Sequence, residues 1–142
     1  MEYRINRRTG DAISIIGMGT SSLPESQENE AVATLRMAYE QGINYYDLAT
    51  AESRCFALFG DALADVRDKV RYQIHFGAIY ATGKSYAWSL NLDKIKRSIA
   101  WQLEQLGTDY IDYGFIHCLD EDQDWQSYRK NGVLRYLEEL KH

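Results

Sequence analysis

The sequence predicts an α/β fold of parallel strands joined by crossover helices, with four strand–helix units behind an opening hairpin. Two observations carry that prediction: strand-like apolar runs alternate with amphipathic helical runs four times, and after the hairpin no two strands are joined by a tight turn. A third observation bears on use. Polar residues fall at the ends of successive strands: Asp47 ends strand two, His75 strand three and His117 strand four.

The elements follow in order. EYRINRRTGDAIS reads as a hairpin turning at Thr9-Gly10-Asp11, and IIGMG as the first short strand. Ser26 is placed to cap a helix whose inner stripe includes Ala31, Leu35 and Ala38, and Gly42 ends it. INYYDLA is strand two, followed by a helix with Cys55, Phe59, Ala62 and Val66 on one side. VRYQIHF is strand three. After a loop rich in Gly, Ser and Tyr, the third helix carries Leu92, Ile95, Ile99, Leu103 and Leu106 at spacings of three and four, closed by Gly107. YIDYGFIH is strand four, and Gly132 opens a fourth helix with Val133, Leu137 and Leu140 inward.

An open doubly wound sheet and half of a closed barrel both fit this alternation. The run GMGTSS is not GxGxxG, so the dinucleotide fingerprint of the open sheet is absent. Strand-end polar residues match the face on which barrel enzymes place their chemistry. The expected architecture is the N-terminal half of a (β/α)8 TIM barrel, four βα units preceded by a β-hairpin, with residues 1–142 expected to be a truncated, partial barrel domain.

Composition narrows the function classes. With 45% hydrophobic residues and a single proline in 142, the chain has enough apolar material for one core. A net charge of -5, with basic residues dispersed apart from short runs such as Arg7-Arg8, disfavours nucleic acid and anionic membrane as partners. No run is long enough to cross a bilayer, and MEYRINRRTG lacks the apolar core of a secretion signal. Cys55 and Cys118 have no metal-ligand spacing and read as free thiols in a reducing cytoplasm. Strand alternation turns Cys118 away from His117, which argues against a Cys-His nucleophile.

The hairpin with its TG turn, QGINYYDLA, the RDKV entry to strand three and LGTDYIDYGFIH together resemble the N-terminal half of the aldo-keto reductase superfamily. LGTDYID followed by a strand-end histidine is the most specific of these. The resemblance implies a (β/α)8 barrel that uses NADPH to reduce an aldehyde or ketone, with a small-molecule carbonyl as substrate. QIHFGA and DYGFIHC are similar to a branch of predicted oxidoreductases that often carry an iron-sulphur segment after the barrel. The family's later strands supply most of the cofactor contacts, so NADPH is expected in the complete protein and no tight binding to this chain.

The resemblance also assigns site residues. The family uses a tyrosine as general acid, a lysine that eases loss of its proton, an aspartate paired with the lysine and a histidine that orients the carbonyl. The aspartate falls on Asp47, which the resemblance also places against the cofactor, and the histidine on His117. The tyrosine position holds Glu52 and the lysine position His75. With both partners replaced, the proton must come from elsewhere. His75, with an ordinary pKa near about 6.5, or a Glu52 raised by burial, can protonate a carbonyl oxygen near neutral pH. Glu52 near the start of helix two also has a purely structural use, stabilising the helix dipole by about 0.3 to 1 kcal/mol. Tyr80, Lys84, Tyr86 and Trp88, in the loop after strand three, are candidate substrate contacts.

Two other readings compete. Asp47, His75 and His117, with Glu52, could ligate a divalent metal and serve a hydrolase. Alternatively the chain is a catalytically silent binding or assembly module. Four strands cannot close a barrel of about eight. An inner apolar face including Ile111, Tyr113 and Phe115 is therefore expected to lie open, and a homo-oligomer to cover it.

Overall fold

The computed structural model describes residues 1–141. It opens with the expected hairpin, β1 (Tyr3–Ile5) pairing antiparallel with β2 (Ala12–Ser14). The Gly10 N–H donates to the Asn6 carbonyl and the Asn6 N–H to that of Asp11, which closes the turn at Thr9-Gly10-Asp11. Asn44 sews this hairpin to the body. Its side-chain oxygen accepts from the Ser14 N–H at 2.9 Å and its side-chain nitrogen donates to the Ala12 carbonyl at 2.8 Å.

The main sheet contains β3 (Tyr45–Asp47), β4 (Arg71–Phe76) and β7 (Tyr113–Ile116), parallel and adjacent in that order. The first strand expected over IIGMG contracts to one parallel bridge between Met18 and Tyr46. Two bonds hold it: the Met18 N–H donates to the Tyr45 carbonyl, and the Asp47 N–H to that of Met18. The shortening has a local cause. The Ser14 hydroxyl donates to the Ile16 carbonyl at 2.7 Å, a side-chain bond that competes with strand pairing, and Ile15 and Ile16 are left exposed.

Three helices cover one face of this sheet: α1 (Glu28–Glu40), α2 (Cys55–Leu63) and α3 (Leu92–Leu106). Ser26 does not cap α1 as the sequence suggests. Its hydroxyl turns back to the Ser22 carbonyl at 3.0 Å and its N–H closes a short 3-10 turn, Leu23–Glu25, so α1 begins behind Gln27. Val66, expected on helix two, lies in a following 3-10 stretch, Ala64–Lys69. α3 matches its pattern. The Asn91 side chain accepts from the Lys94 N–H at 3.0 Å, Ile95, Ile99 and Leu106 are buried, and Gly107 ends the helix in the left-handed conformation.

The loop after β4 holds a small unforeseen antiparallel pair, β5 (Ala78–Ile79) and β6 (Ala87–Trp88). The expected fourth helix opens behind Gly132 as read from the sequence, and an unforeseen helix precedes it. α4 (Asp122–Lys130) comes first, with Glu121 and Asp124 capping each other's backbone, and α5 (Val133–Glu139) follows Gly132. Val133 is buried; Leu140 lies beyond the helix and is exposed.

Period-two alternation divides the sheet into two chemically distinct faces. Tyr46, Tyr72, Ile74 and Phe76 point to the helices and join Leu35, Phe59, Leu63, Ile95 and Ile99 in one buried cluster. The opposite, inner face carries Tyr45, Asp47, Gln73, His75, Tyr113 and Phe115. This corrects the expected apolar inner face. Tyr113 is tied to the hairpin, its hydroxyl donating to Asp11 at 2.7 Å, and Ile111 is partly buried against the core. Phe115 alone is bare, at 47% exposure.

Candidate active site at the strand ends

Polar inner-face residues gather where β3, β4 and β7 end. Asp47, the last residue of β3, lies 2.8 Å from His75 Nε2, with Oδ1 the facing atom. The His75 Nδ1 atom meets His117 Nδ1 at 3.2 Å, the two rings standing edge to face at 84°. The His117 Nε2 atom in turn lies 3.0 Å from the Tyr86 hydroxyl. Four side chains from three strand ends and one loop thus form a continuous line.

Each member is held from behind. Parallel register sets His75 opposite Phe115, so His117, two residues further on the same face, reaches the His75 ring diagonally. Tyr128 of α4, fully buried, shares its hydroxyl between the carbonyls of His117 at 3.0 Å and Phe76 at 3.3 Å, tying the ends of β4 and β7 together. Gly77 makes room for that hydroxyl: at φ +107°, with Tyr128 against it, a side chain would be strained and would collide. Beyond β7, Cys118 adopts a left-handed φ of 50°, which breaks the strand directly after His117.

Charge decides the tautomers along the line. The His75 hydrogen bond pulls the Asp47 carboxyl below its ordinary pKa against an opposing effect of burial, so Asp47 is ionised and accepts only. His75 therefore carries a hydrogen on Nε2 and presents a bare Nδ1. Gln73, buried, has its amide 3.0 Å from the same Nε2 and also bonded to the Tyr45 hydroxyl. Turning that amide by 180° sets its oxygen toward the Nε2–H and its nitrogen toward Tyr45, which satisfies both neighbours.

Of the other sequence candidates, Glu52 does not join the line. It pairs with the loop instead, bridging to Ser85 and accepting from its hydroxyl at 3.3 Å. Tyr80 turns away from any pocket into the core. Its hydroxyl donates to the Thr50 carbonyl at 3.0 Å and accepts from the Thr50 N–H, and burial lifts its pKa to about 12. Trp88 is exposed on β6 and Lys84 is exposed on the loop. Sequence reasoning missed Gln73 and Tyr128; alternation with His75 marks Gln73 as an inner-face residue, whereas no local pattern points to Tyr128. The metal reading finds no support, because both ring nitrogens of His75 are engaged. Among the described residues no group of three or more His, Cys, Asp or Glu side chains is arranged to hold an ion.

The Aldo/keto reductase family model matches residues 15–142. The chain belongs to the aldo/keto reductase family. It is 30% identical over 134 residues to the uncharacterized oxidoreductase YqkF of Bacillus subtilis, covering 87% of this chain and 44% of the relative. It is 28% identical over 126 residues to an L-galactose dehydrogenase of Arabidopsis thaliana, covering 84% and 38%. A solved structure assigned to the aldo-keto reductases, from Pseudomonas aeruginosa, superposes with a TM-score of 0.77 at 27% identity over 98% of this chain and 55% of that one. The holo form of a Bacillus halodurans aldo-keto reductase gives 0.73 at 24% identity over 94% and 47%, a likeness of fold. The chain spans less than half the length of these curated relatives.

For the nicotinamide cofactor of this family, the inner face offers a flat, exposed Phe115 ring, 6.1 Å from that of His75 and inclined by 31°. It offers little charge for a diphosphate: residues 77–91, the loop above the site, include one cation, Lys84. The residues present fit the reactive ring and leave the anionic remainder of the cofactor uncompensated.

Burial, with the neighbouring His75 charge, depresses the His117 pKa below the imidazole norm despite the opposing pull of Asp47 and Asp120. The unfolded chain takes up a proton on this residue near about pH 6.5 and the folded chain only at lower pH. Between those values the unfolded state binds more protons, so stability falls as pH drops from about 6.5 toward the folded value. Urea midpoints measured across that window should decline with pH in the wild type and decline less in His117→Gln. Equal slopes would contradict the assignment.

Proposed function

We propose that this chain forms the proton-handling half of a nicotinamide-linked carbonyl reductase. In the complete protein, NADPH-linked reduction of a small aldehyde or ketone takes place at the ends of β3, β4 and β7. The supporting observation is the unbroken contact from Asp47 through His75 to His117. When bound, the cofactor supplies a hydride. Asp47 anchors His75 through Nε2, His75 fixes the tautomer of His117, and the pair stores the proton that the reduced oxygen requires. His75 thus serves in the place where the family has its lysine. Glu52, held by Ser85, contributes less. The free thiols Cys55 and Cys118 suit a reducing cytoplasm, and no helix among the described residues is long and apolar enough to cross a membrane.

Two measurements test this reading together. NADPH titrated into this chain alone, followed by nicotinamide fluorescence, should show no saturable binding at micromolar concentration. In a protein that pairs this half with the remaining strands, His75→Gln should lower carbonyl reduction by about a hundredfold or more with cofactor affinity kept. Tight binding to this chain, or full activity in the variant, would contradict it.

We infer further that this chain, taken by itself, self-associates along the outer edge of β7. That edge borders a groove lined by Ile111, Tyr113, Ile116 and Leu137, with Tyr110, Phe115 and Leu140 exposed nearby. Apolar surface and a free strand edge together favour a second copy. Sedimentation at micromolar concentration should find a dimer or larger species; a folded, strictly monomeric chain would overturn the inference.

A further inference from the structure

The line of side chains does not stop at His117. Tyr86 Oη, 3.0 Å from His117 Nε2, is its outermost member and is 39% exposed, the ring edge to face with the imidazole at 5.4 Å. Its placement is built. The Tyr86 N–H donates to the Ala51 carbonyl at 2.9 Å, the Ser53 N–H donates to the Lys84 carbonyl at 3.3 Å, and Ser85 holds Glu52. The loop after β4 is thereby latched onto the start of α2, and the Tyr80 ring backs that of Tyr86 at 6.1 Å. Glu52, standing where the family has its tyrosine, thus holds down a loop that brings a different tyrosine to the site.

Resting on the reductase reading above, we propose that Tyr86 is the terminal proton donor of this centre, handing the proton of its hydroxyl to the carbonyl oxygen and drawing a replacement from His117 Nε2. The hydrogen inventory leads there. With both imidazoles neutral and Asp47 ionised, every donor points inward: His75 Nε2–H to Asp47, His117 Nδ1–H to His75 Nδ1, and Tyr86 O–H to His117 Nε2. The Tyr86 oxygen then shows only lone pairs outward and can accept from an alcohol. One added proton, on His117 Nε2, reverses the last bond. His117 now donates to Tyr86, and the tyrosine O–H turns outward.

The reduction balances from this protonated state. The carbonyl carbon receives the hydride that a reduced nicotinamide, when bound, would supply, the nicotinamide being oxidised in doing so, while the C=O π pair moves to oxygen. That oxygen takes the Tyr86 proton, Tyr86 takes the proton on His117 Nε2, and His117 is left neutral. The reverse sequence oxidises an alcohol from the inward-pointing state. Burial and the neighbouring Cys118 raise the Tyr86 pKa, so the hydroxyl keeps its proton until His117 replaces it. Asp47, His75, Asp120 and Tyr86 are the charged or titratable groups that act on His117, and Cys118, His117, Tyr80 and Tyr128 those that face Tyr86.

The test uses this chain alone and reads histidine nitrogens by long-range ¹⁵N–¹H NMR. Above the His117 titration, His117 should be the Nδ1–H tautomer with a bare Nε2, and His75 the Nε2–H tautomer. Tyr86→Phe removes the acceptor that meets the His117 cation. A bond to the charged form is stronger than one to the neutral form, so the His117 midpoint should fall by roughly half a unit. An Nε2–H tautomer on neutral His117, or an unmoved midpoint in folded Tyr86→Phe, overturns the role of Tyr86. If the variant does not fold, the wild-type tautomer decides alone. Asp47→Asn separates the two readings: loss of its charge should lower the same midpoint, and an unchanged value there would sink the Asp47–His75–His117 reading itself.

Discussion

The carboxylate of Asp112, just before β7, is the contact on which the rest of the site depends. One oxygen accepts from Arg67 Nη2 at 2.7 Å and from the Tyr72 backbone N–H at 3.0 Å, with both charged side chains about nine-tenths buried. Arg67 is also stacked against Tyr72 and Tyr110, its guanidinium carbon 4.4 and 4.0 Å from the ring centroids. Such a pair repays its desolvation only when its remaining donors and acceptors are satisfied. Here Arg67 also donates to Thr108 and to the carbonyls of Val70 and Tyr110. What the pair specifies is register. Because strand side chains alternate, a slip of one residue between β4 and β7 would turn His117 away from His75.

Register then separates two kinds of chemistry across a thin sheet. The helix-facing side buries Tyr46, Tyr72, Ile74 and Phe76 and supplies the hydrophobic stabilisation. The other side leaves Tyr45, Gln73, His75 and Asp47 bonded to one another, so that a carboxylate and two imidazoles share a hydrogen-bonded run with few alternative partners. His75, the most shielded of the ionisable members at 13% side-chain exposure, would be the costliest to leave unpaired. The same arrangement that orders the strand ends therefore fixes the direction in which their hydrogens point.

Much of this was legible in the sequence, for physical reasons that differ by element. α3 was readable because Ile95, Ile99 and Leu106 repeat at helical spacing between Asn91 and Gly107, signals that act locally. The meeting of Asp47, His75 and His117 was readable because strand-end placement follows from alternation and parallel order. The shortened first strand was not, since it depends on the Ser14 hydroxyl finding the Ile16 carbonyl. Nor was the extra helix α4 ahead of Gly132, or the tie of Tyr113 to Asp11 across the hairpin, which depends on a partner far away in sequence. Tyr86 and Trp88 share a loop and an aromatic character, and only the backbone bonds of residues 51–53 with 84–86 show which of them reaches His117.

The most direct measurement is the nuclear Overhauser contact between the ring protons of His75 and His117, whose centroids lie 5.2 Å apart, recorded in the wild type and in Asp112→Asn. The wild type should show the cross-peak. The variant, judged folded by circular dichroism, should weaken or lose it as β4 and β7 lose their common anchor. An undiminished cross-peak in the folded variant would contradict the dependence on Asp112, and its absence from the wild type would contradict the site.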